Sequence, residues 1–571
     1  MFTFENLIRN EYFPAELPPC FSTKIIADNY DKIDKWTSGF KRKQSIALTY
    51  SGFKNENSRR KFAIPNIYHY FKAVNCIVKN SEDIFGVINQ SEISLSKPLD
   101  GIPANDQPYN KKTYSVTQTK QTIEKLYQDN LYQIKLDISS FFDSIYTHAI
   151  PWAMHTKKIA KKSDGKSLLG DKLDICVREM NYGQTNGILV GNAVSRIISE
   201  IILCTIDREI QLKFKNIKCV RFVDDYYIFI KDFLQIENII SFIRTELGKY
   251  ELVLNENKIQ ISESPFVYGK SWVEEIKLFI HLNSEVFLNK VIVLYTKYKD
   301  ISILRYGITV LSLHNLDKDQ WQTMESKILN LWVRFPSISD LIIKILIDKI
   351  KFIKKNNLRN AIYSIIDRCI SLNQHQEVIW AIWFAKVFEV QIKKEYIIKV
   401  IESQNSLAII IVLDIIHSGN YKESKEIMSV LLDLRESLKD DDLDETEEDT
   451  NKKQGHLLWS QNWLLAYEAD LNKWLNIGDE KFEYAKNDPF FKNLIRNKIF
   501  FYDVNFKYNK VTLQKKSIQY VTKEDFFTYI KKINKLLARV TELREDNNGI
   551  IEIKEMTEKI IDRVEEEISI Y

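Results

Sequence analysis

The chain of 571 residues is poor in the two residues that punctuate structure, with 16 glycines and 11 prolines. That is about 3% and 2%, where about 7% and 5% are usual. So few turn formers exclude collagen-like, Gly/Ser-linker and proline-rich disordered chains and predict a mostly helical protein. Cysteine is sparse as well: Cys20, Cys76, Cys176, Cys204, Cys219 and Cys369 are scattered, with no CxxC pair. A zinc cluster or disulfide framework is not expected, and a reducing compartment fits. The first residues, MFTFENLIRNEYF, lack a basic stretch followed by an apolar run, and no eighteen uncharged apolar residues follow one another later. The expectation is a cytoplasmic protein with no membrane partner. A GxxxxGK[ST] loop and a GxSxG turn are both missing, which leaves NTPase and hydrolase classes without support.

What is present is core material: 45% hydrophobic residues, 12% of the chain aromatic, enough for large globular domains. Lys and Arg number 81 against 77 Asp and Glu. At that balance overall charge neither demands nor forbids nucleic acid, and any basic groove is local. Five of the 16 glycines fall at Gly165, Gly170, Gly183, Gly187 and Gly191, and nine of the 11 prolines precede residue 300. Turns therefore concentrate in the front half. The run Tyr12–Thr23 (YFPAELPPCFST) reads as an extended segment wrapping the domain after it. YQIKLDISSFF from Tyr132 reads as a strand, and CVRFVDDYYIFI (Cys219 to Ile230) as a hairpin with Asp224 and Asp225 at its turn. A short β segment is expected at LNENKIQI. From about residue 290 amphipathic segments of three to five turns repeat without strict self-similarity, as in a stacked-helix array. Asp440–Asp449, with eight acids in ten residues, reads as a solvated loop, and the stretch after Lys523 as a charged helical tail.

Three features in order carry chemistry: LDISSFF, with Asp137 ending a strand; GILVGNAVSRIISEIIL, a glycine turn entering a helix; and RFVDD. Strands that present carboxylates at one edge can hold two divalent cations, which activate a 3′-hydroxyl and stabilise a leaving pyrophosphate. An all-oxygen site suits magnesium. Asp-Asp pairs are common on surfaces, but here apolar walls, RFV and YYIF, flank the pair, where unpaired carboxylates are costly.

LDISSFFDSIYTH, GILVGNAVSR and RFVDD resemble the palm motifs of reverse transcriptases, and more narrowly those of the abortive-infection (AbiK-like) and related defence-associated enzymes of bacteria. RRKFAIPNIYHY resembles their fingers, YTHAIPWAM the stretch after the first catalytic Asp, and HQEVIWAIWFAK and WLLAYEA parts of their helical domain. The resemblance implies an α+β fold: an amino-terminal extension (1–45), reverse-transcriptase fingers and palm (46–290), and an all-α helical-repeat, HEAT-like domain (291–571). Asp137, Asp224 and Asp225 match the metal-binding catalytic carboxylates, with two Mg2+ as cofactors and Mn2+ as a substitute. Phe142 falls where the family has its sugar-gating aromatic, excluding a 2′-hydroxyl. The alternative of core packing suits Phe141 better, since strand alternation sends the two rings to opposite faces. Gly191 and Ser195 match the motif beneath the incoming base pair, and Asn192 can cap the helix that starts there. Leu189 and Val190 stand where many members have Pro and Gln.

Arg59, Arg60 and Lys61 are candidates for gripping a triphosphate, or they mark an exposed helix start. Lys258 sits near the expected pyrophosphate, or is a surface lysine. Arg368 and His375 match the spacing of helical RNase sites but read better as packing. The implied activity is DNA synthesis from dNTPs in antiphage defence, untemplated and primed on a protein tyrosine in the amino-terminal region, such as Tyr12, Tyr30, Tyr50, Tyr68 or Tyr70. It implies a single-stranded DNA product and a homo-oligomer joined through the helical half. The rivals are reverse transcription of a bound non-coding RNA and a catalytically idle RNA-binding scaffold.

Overall fold

A computed structural model of the chain describes residues 2–98 except 10, 116–440 except 267–268, 315, 420 and 422–423, then 457–507 and 531–532. Most of the charged tail and most of the acidic run lie outside the described residues.

The described residues form two sheets, both antiparallel. β1 (Leu48–Asn55) and β2 (Ser58–Ile64) form a hairpin. β3 (Tyr132–Asp137), β4 (Lys218–Phe222), β5 (Asp225–Ile230) and β6 (Gln260–Glu263) form a sheet in the order β4-β5-β3-β6. The hairpin read from CVRFVDDYYIFI is β4–β5, and the segment after Leu254 becomes a 3-10 turn and β6. Alternation gives the four-stranded sheet two unlike faces. Ile134, Leu136, Tyr226 and Ile228 are buried on one, against the Ala193–Lys213 helix and its neighbours. Lys135, Asp137, Asp225 and Tyr227 stand on the other.

One expectation about this strand is corrected. The β conformation stops at Asp137, and Phe141–Ser144 is a helical turn. Strand alternation therefore does not separate Phe141 from Phe142. Phe141 is buried and Phe142 half-buried because successive residues on a helix diverge by about 100°.

From Ser284 onward the regular elements of the described residues are helices. The helices Ile301–Leu313, Ser339–Asp348, His375–Val387, Ser406–Ser418 and Trp463–Leu471 pack in succession as one layer. A second layer consists of Ser284–Tyr298, Lys318–Arg334, Lys355–Ser371, Lys394–Glu402 and Lys425–Asp440. Residue 290, where the helical half was expected to begin, lies inside the Ser284–Tyr298 helix.

The amino-terminal segment is not simply extended. Short helices, Phe4–Arg9, Lys24–Asp28 and Tyr30–Ser38, flank the proline-rich run. That run ties the two halves together: Trp380 Nε1 donates to Glu16 O at 2.8 Å, and Ser22 N to Phe501 O at 2.8 Å. The largest apolar core accordingly draws on residues from Phe2 to Tyr502, with two smaller clusters beside it, one between Trp272 and Leu313 and one of Leu95, Ile123, Val220 and Phe229. All six cysteines are free thiols. Among the described residues no helix is long and apolar enough to cross a membrane.

Candidate active site

The site begins with register. Asp137, last residue of β3, lies directly opposite Asp225, first residue of β5, so both carboxylates project from one end of one sheet face. Asp224 occupies the two-residue turn between β4 and β5. Its companion Val223 has φ +54°, a left-handed conformation that β-branched residues rarely adopt and that stores backbone strain.

Electrostatics bind the three acids into one cluster. Burial, joined by the charges of Asp225 and Asp137, pushes the Asp224 carboxyl up to about 6, although a backbone hydrogen bond and Arg60 pull the other way. Asp225 is raised by burial and by Asp137, against the pull of Lys135 and Lys258. Two lysines answer this negative charge. Lys258 Nζ lies 3.1 Å from Asp137 Oδ2, and Lys135 Nζ lies 3.8 Å from Asp225 Oδ1. Asn255 Nδ2 also donates to Asp137 Oδ2 at 3.0 Å.

Among the described residues no three metal-ligating side chains converge into a finished cage. The donor set nevertheless suits hard divalent cations: three carboxylates, all oxygen, carrying like charge that burial makes costly. Asp137, Asp224 and Asp225 are the residues that would hold them.

Beneath the turn lies a network that sequence reasoning missed. Arg221 is fully buried on the opposite sheet face from Asp225. Its guanidinium reaches Glu200 (Nη1 to Oε1, 2.9 Å) and Asp207 (Nη2 to Oδ2, 2.8 Å), both on the Ala193–Lys213 helix. A further donation at 2.7 Å goes to the carbonyl of Val223. Ser96 Oγ accepts from Val223 N at 2.9 Å, and Tyr226 Oη donates to Asp207 Oδ1 at 2.9 Å. The strained turn is thus held from both its peptide faces. The signal was there to read: strand alternation turns Arg221 inward, and acids seven residues apart share one helix face.

Other expected site residues take varied places. Arg60 feels the site electrostatically and lies 6.0 Å from the Phe62 ring centroid. Arg59 is committed elsewhere, in a two-pronged pair with Glu377 of the helical half (2.5 and 2.6 Å) and a 3.0 Å bond to Ser51 Oγ. Both arginines sit on β2, so the reading of Arg59–Lys61 as a helix start is corrected; the helix begins at Ile67. His375 Nδ1 accepts from Ser51 N at 3.4 Å, a packing role on that same contact.

Gly191 has φ +110°, and a Cβ there would come within 2.6 Å of Pro14 Cγ, so only glycine fits. Asn192 caps the following helix by accepting from Ser195 N at 3.0 Å. Leu189 is buried, and the carbonyl of Val190 accepts from Ala63 N at 3.0 Å. Phe142 sits one helical turn past the strand, its carbonyl accepting from Ile188 N at 2.9 Å.

Among the amino-terminal tyrosines, Tyr12, Tyr50, Tyr68 and Tyr70 are buried. Tyr12 Oη donates to Pro65 O at 2.5 Å, Tyr68 Oη to Phe40 O at 2.7 Å and Tyr70 Oη to Leu7 O at 2.7 Å. Proline breaks did not make this segment a loose arm, because its rings fill the core. Tyr30 alone of the five is half-buried, its ring 5.3 Å from that of Phe4.

A carboxylate pair opposed in register, a third acid in a strained hairpin turn and two lysines thus lie together at one end of one antiparallel sheet. Residues 53–279 match the family model for reverse transcriptase (RNA-dependent DNA polymerase), so a reverse-transcriptase domain is present, of a class that transfers nucleotides and generally uses divalent metal ions. No curated protein matches the chain. Among solved structures, apo telomerase from Candida tropicalis is similar at 11% identity and TM-score 0.31, over 74% of this chain and 77% of that one. Its form truncated from the C-terminal domain gives 10% identity and TM-score 0.27, over 43% and 56%. Telomerase from Candida albicans in complex with a TWJ fragment of telomeric RNA gives 14% identity and TM-score 0.27, over 63% and 69%. The chain thus spans little more than half of the truncated telomerase, and nothing about its activity is drawn from these likenesses.

Proposed function

We propose that the chain is a DNA polymerase of reverse-transcriptase type. The observation that carries this reading is the opposition of Asp137 and Asp225 on one sheet face with Asp224 electrostatically joined to them. Asp137, Asp224 and Asp225 would hold two Mg2+, replaceable by Mn2+, which would supply activation of the attacking hydroxyl and stabilisation of the leaving pyrophosphate. The hydroxyl gives up its proton to solvent, and its oxygen bonds to the α-phosphorus of a dNTP as the bond to pyrophosphate breaks. Lys258 and Arg60 offer positive charge to the triphosphate, and the Phe142 ring closes the space a 2′-hydroxyl would need. Arg221 acts indirectly, as a positioning residue that fixes the Val223–Asp224 turn.

The finer reading, from the resemblance, is protein-primed, template-independent synthesis of single-stranded DNA in antiphage defence by a homo-oligomer. Leu189 and Val190, in place of template-positioning Pro and Gln, favour it over copying of a bound non-coding RNA. The priming hydroxyl then belongs to a tyrosine other than the four buried ones.

The test is incorporation of labelled dNTPs with Mg2+ by the full chain. Asp224→Asn and Asp225→Asn are expected to abolish it while the fold persists. Wild-type incorporation by the double variant refutes the polymerase reading and leaves the idle scaffold. Product freed by denaturation alone, with no tyrosyl-linked nucleotide by mass spectrometry, refutes protein priming.

A further inference from the structure

Residues 157–166, KKIAKKSDGK, hold five lysines and one acid, in a chain whose charges otherwise nearly balance. Lys158, Lys161, Lys162 and Lys166 are exposed. The one acid, Asp164, is turned into its own loop, where Oδ1 accepts from Lys166 N at 2.9 Å, Ser167 N at 2.8 Å and Ser167 Oγ at 2.7 Å. This loop is therefore an ordered display of lysines.

A file of half-buried rings leads into it. Tyr146 lies 5.0 Å from His148 and 5.7 Å from Trp152, centroid to centroid, and Lys157 Nζ lies 3.9 Å from the Trp152 ring. Between the ring-bearing helix Ala149–His155 and the lysine-bearing turn Lys157–Ala160, Thr156 holds φ +78°. Such strain in a β-branched residue persists only where the surroundings impose it, and it clusters at functional places.

This face joins the candidate site at both ends. At one end, Tyr146 lies just past the Phe141–Ser144 turn that carries Phe142 and bridges to Asn186. At the other, Lys157 Nζ lies 3.7 Å from Glu251 Oε1 and bonds Lys249 O at 3.5 Å. That segment runs on to Val253, whose carbonyl accepts from Ser139 N at 2.9 Å, and to Asn255, which bonds Asp137.

We propose that this face is a track for an unpaired polynucleotide strand, its phosphates on Lys158, Lys161, Lys162 and Lys166 and its bases against Tyr146 and Trp152. Rings interleaved with cations are the arrangement that holds single strands, because every base has a face to stack once it is unpaired. The track deepens the polymerase reading and rests on it for its purpose, but binding needs no catalysis. The full chain carrying Asp224→Asn and Asp225→Asn is the protein to test, with no nucleotide added.

The probe is a labelled oligothymidylate of about 20 nucleotides, enough to cover more than one such site, with oligouridylate of equal length as a second arm. Changing Lys158, Lys161, Lys162 and Lys166 together to Gln is expected to weaken binding at least about tenfold and to lower the log–log salt slope by about 3, at about 0.7 for each phosphate no longer neutralised. Tyr146→Leu is expected to weaken binding at least about fivefold with the slope unchanged, since stacking is not ionic. Tighter binding of the DNA or of the RNA probe assigns the track to product or template. An unchanged affinity and slope in the lysine variant, or equal competition by duplex DNA, overturns the proposal. Loss of incorporation without loss of this binding bears on the polymerase reading alone.

Discussion

The palm and the helical half use buried charge to different degrees. Under the Val223–Asp224 turn, Arg221 is buried and paired with Glu200 and Asp207. Across the array, apolar packing dominates, as where Trp332 stacks on Phe384 at 4.3 Å. Charge enters there as ion pairs between helices, such as Arg305 Nη2 to Asp340 Oδ2 at 2.8 Å, at the contact with the front half through Glu377, and as buried carboxyls bonded by amides, such as Glu468. A hydrophobic stack suffices to hold helices side by side. Fixing a strained turn that carries a carboxylate calls for directional bonds, and these justify an ion cluster that adds little net stability for its desolvation cost.

The largest expected effect is at the palm. Arg221→Ala leaves two buried carboxylates facing each other, and breaking such a buried pair costs about 3–5 kcal/mol. Chemical denaturation should show that loss. A variant as stable as wild type would mean that the cluster does not carry the turn. At the contact between halves, Arg59→Ala strands Glu377, itself 3% exposed as a side chain, while Arg59 is 28% exposed and so partly screened. About 1–3 kcal/mol is expected, the range for leaving a buried polar group without its partner. Equal losses at Arg59 and Arg221 would erase the difference drawn between the regions.

The helical half offers a pH readout. Burial pushes the Glu468 carboxyl up to about 8, though Phe501 N, Tyr502 N and Asn472 bond it. A folded-state value above the unfolded one means the unfolded chain gives up its proton first. Stability is then full below about 4.5 and is lost as pH rises to about 8, above which the slope ends. Glu468→Gln is expected to flatten that slope and to raise stability at pH 8 relative to wild type by about 1–3 kcal/mol. Parallel stability–pH curves would show that Glu468 is charged in the fold.

The smallest change in stability is expected at Phe142, half-buried beside Phe141 at 5.2 Å. Phe142→Val is expected to admit ribonucleotides in competition assays while costing about 1 kcal/mol, the lower end for trimming a partly buried ring. Unchanged sugar preference would assign the ring to packing.

How much of this was legible beforehand depended on period and locality. The RFVDD hairpin, the Asn192 cap and the helical second half follow from alternation, capping chemistry and 3.6-residue periodicity, all of which act within a few residues. Arg59 read as a ligand for phosphate because its partner Glu377 is more than three hundred positions away, and pairing at that distance leaves no local mark. The burial of Tyr12, Tyr50, Tyr68 and Tyr70 was hidden for a similar reason: prolines announce breaks in helices but are silent about which rings the core takes in. Arg221 was local and was passed over, hidden by the acids beside it.

The central claim is that Asp137, Asp224 and Asp225 together hold the catalytic cations. Titrating the full chain with Mn2+ in the presence of a non-hydrolysable dNTP analogue, monitored by electron paramagnetic resonance, tests it directly. Two bound ions per chain are expected in wild type, with binding lost or cut to one in Asp137→Asn and in Asp225→Asn. Manganese binding unchanged by either substitution would contradict the account.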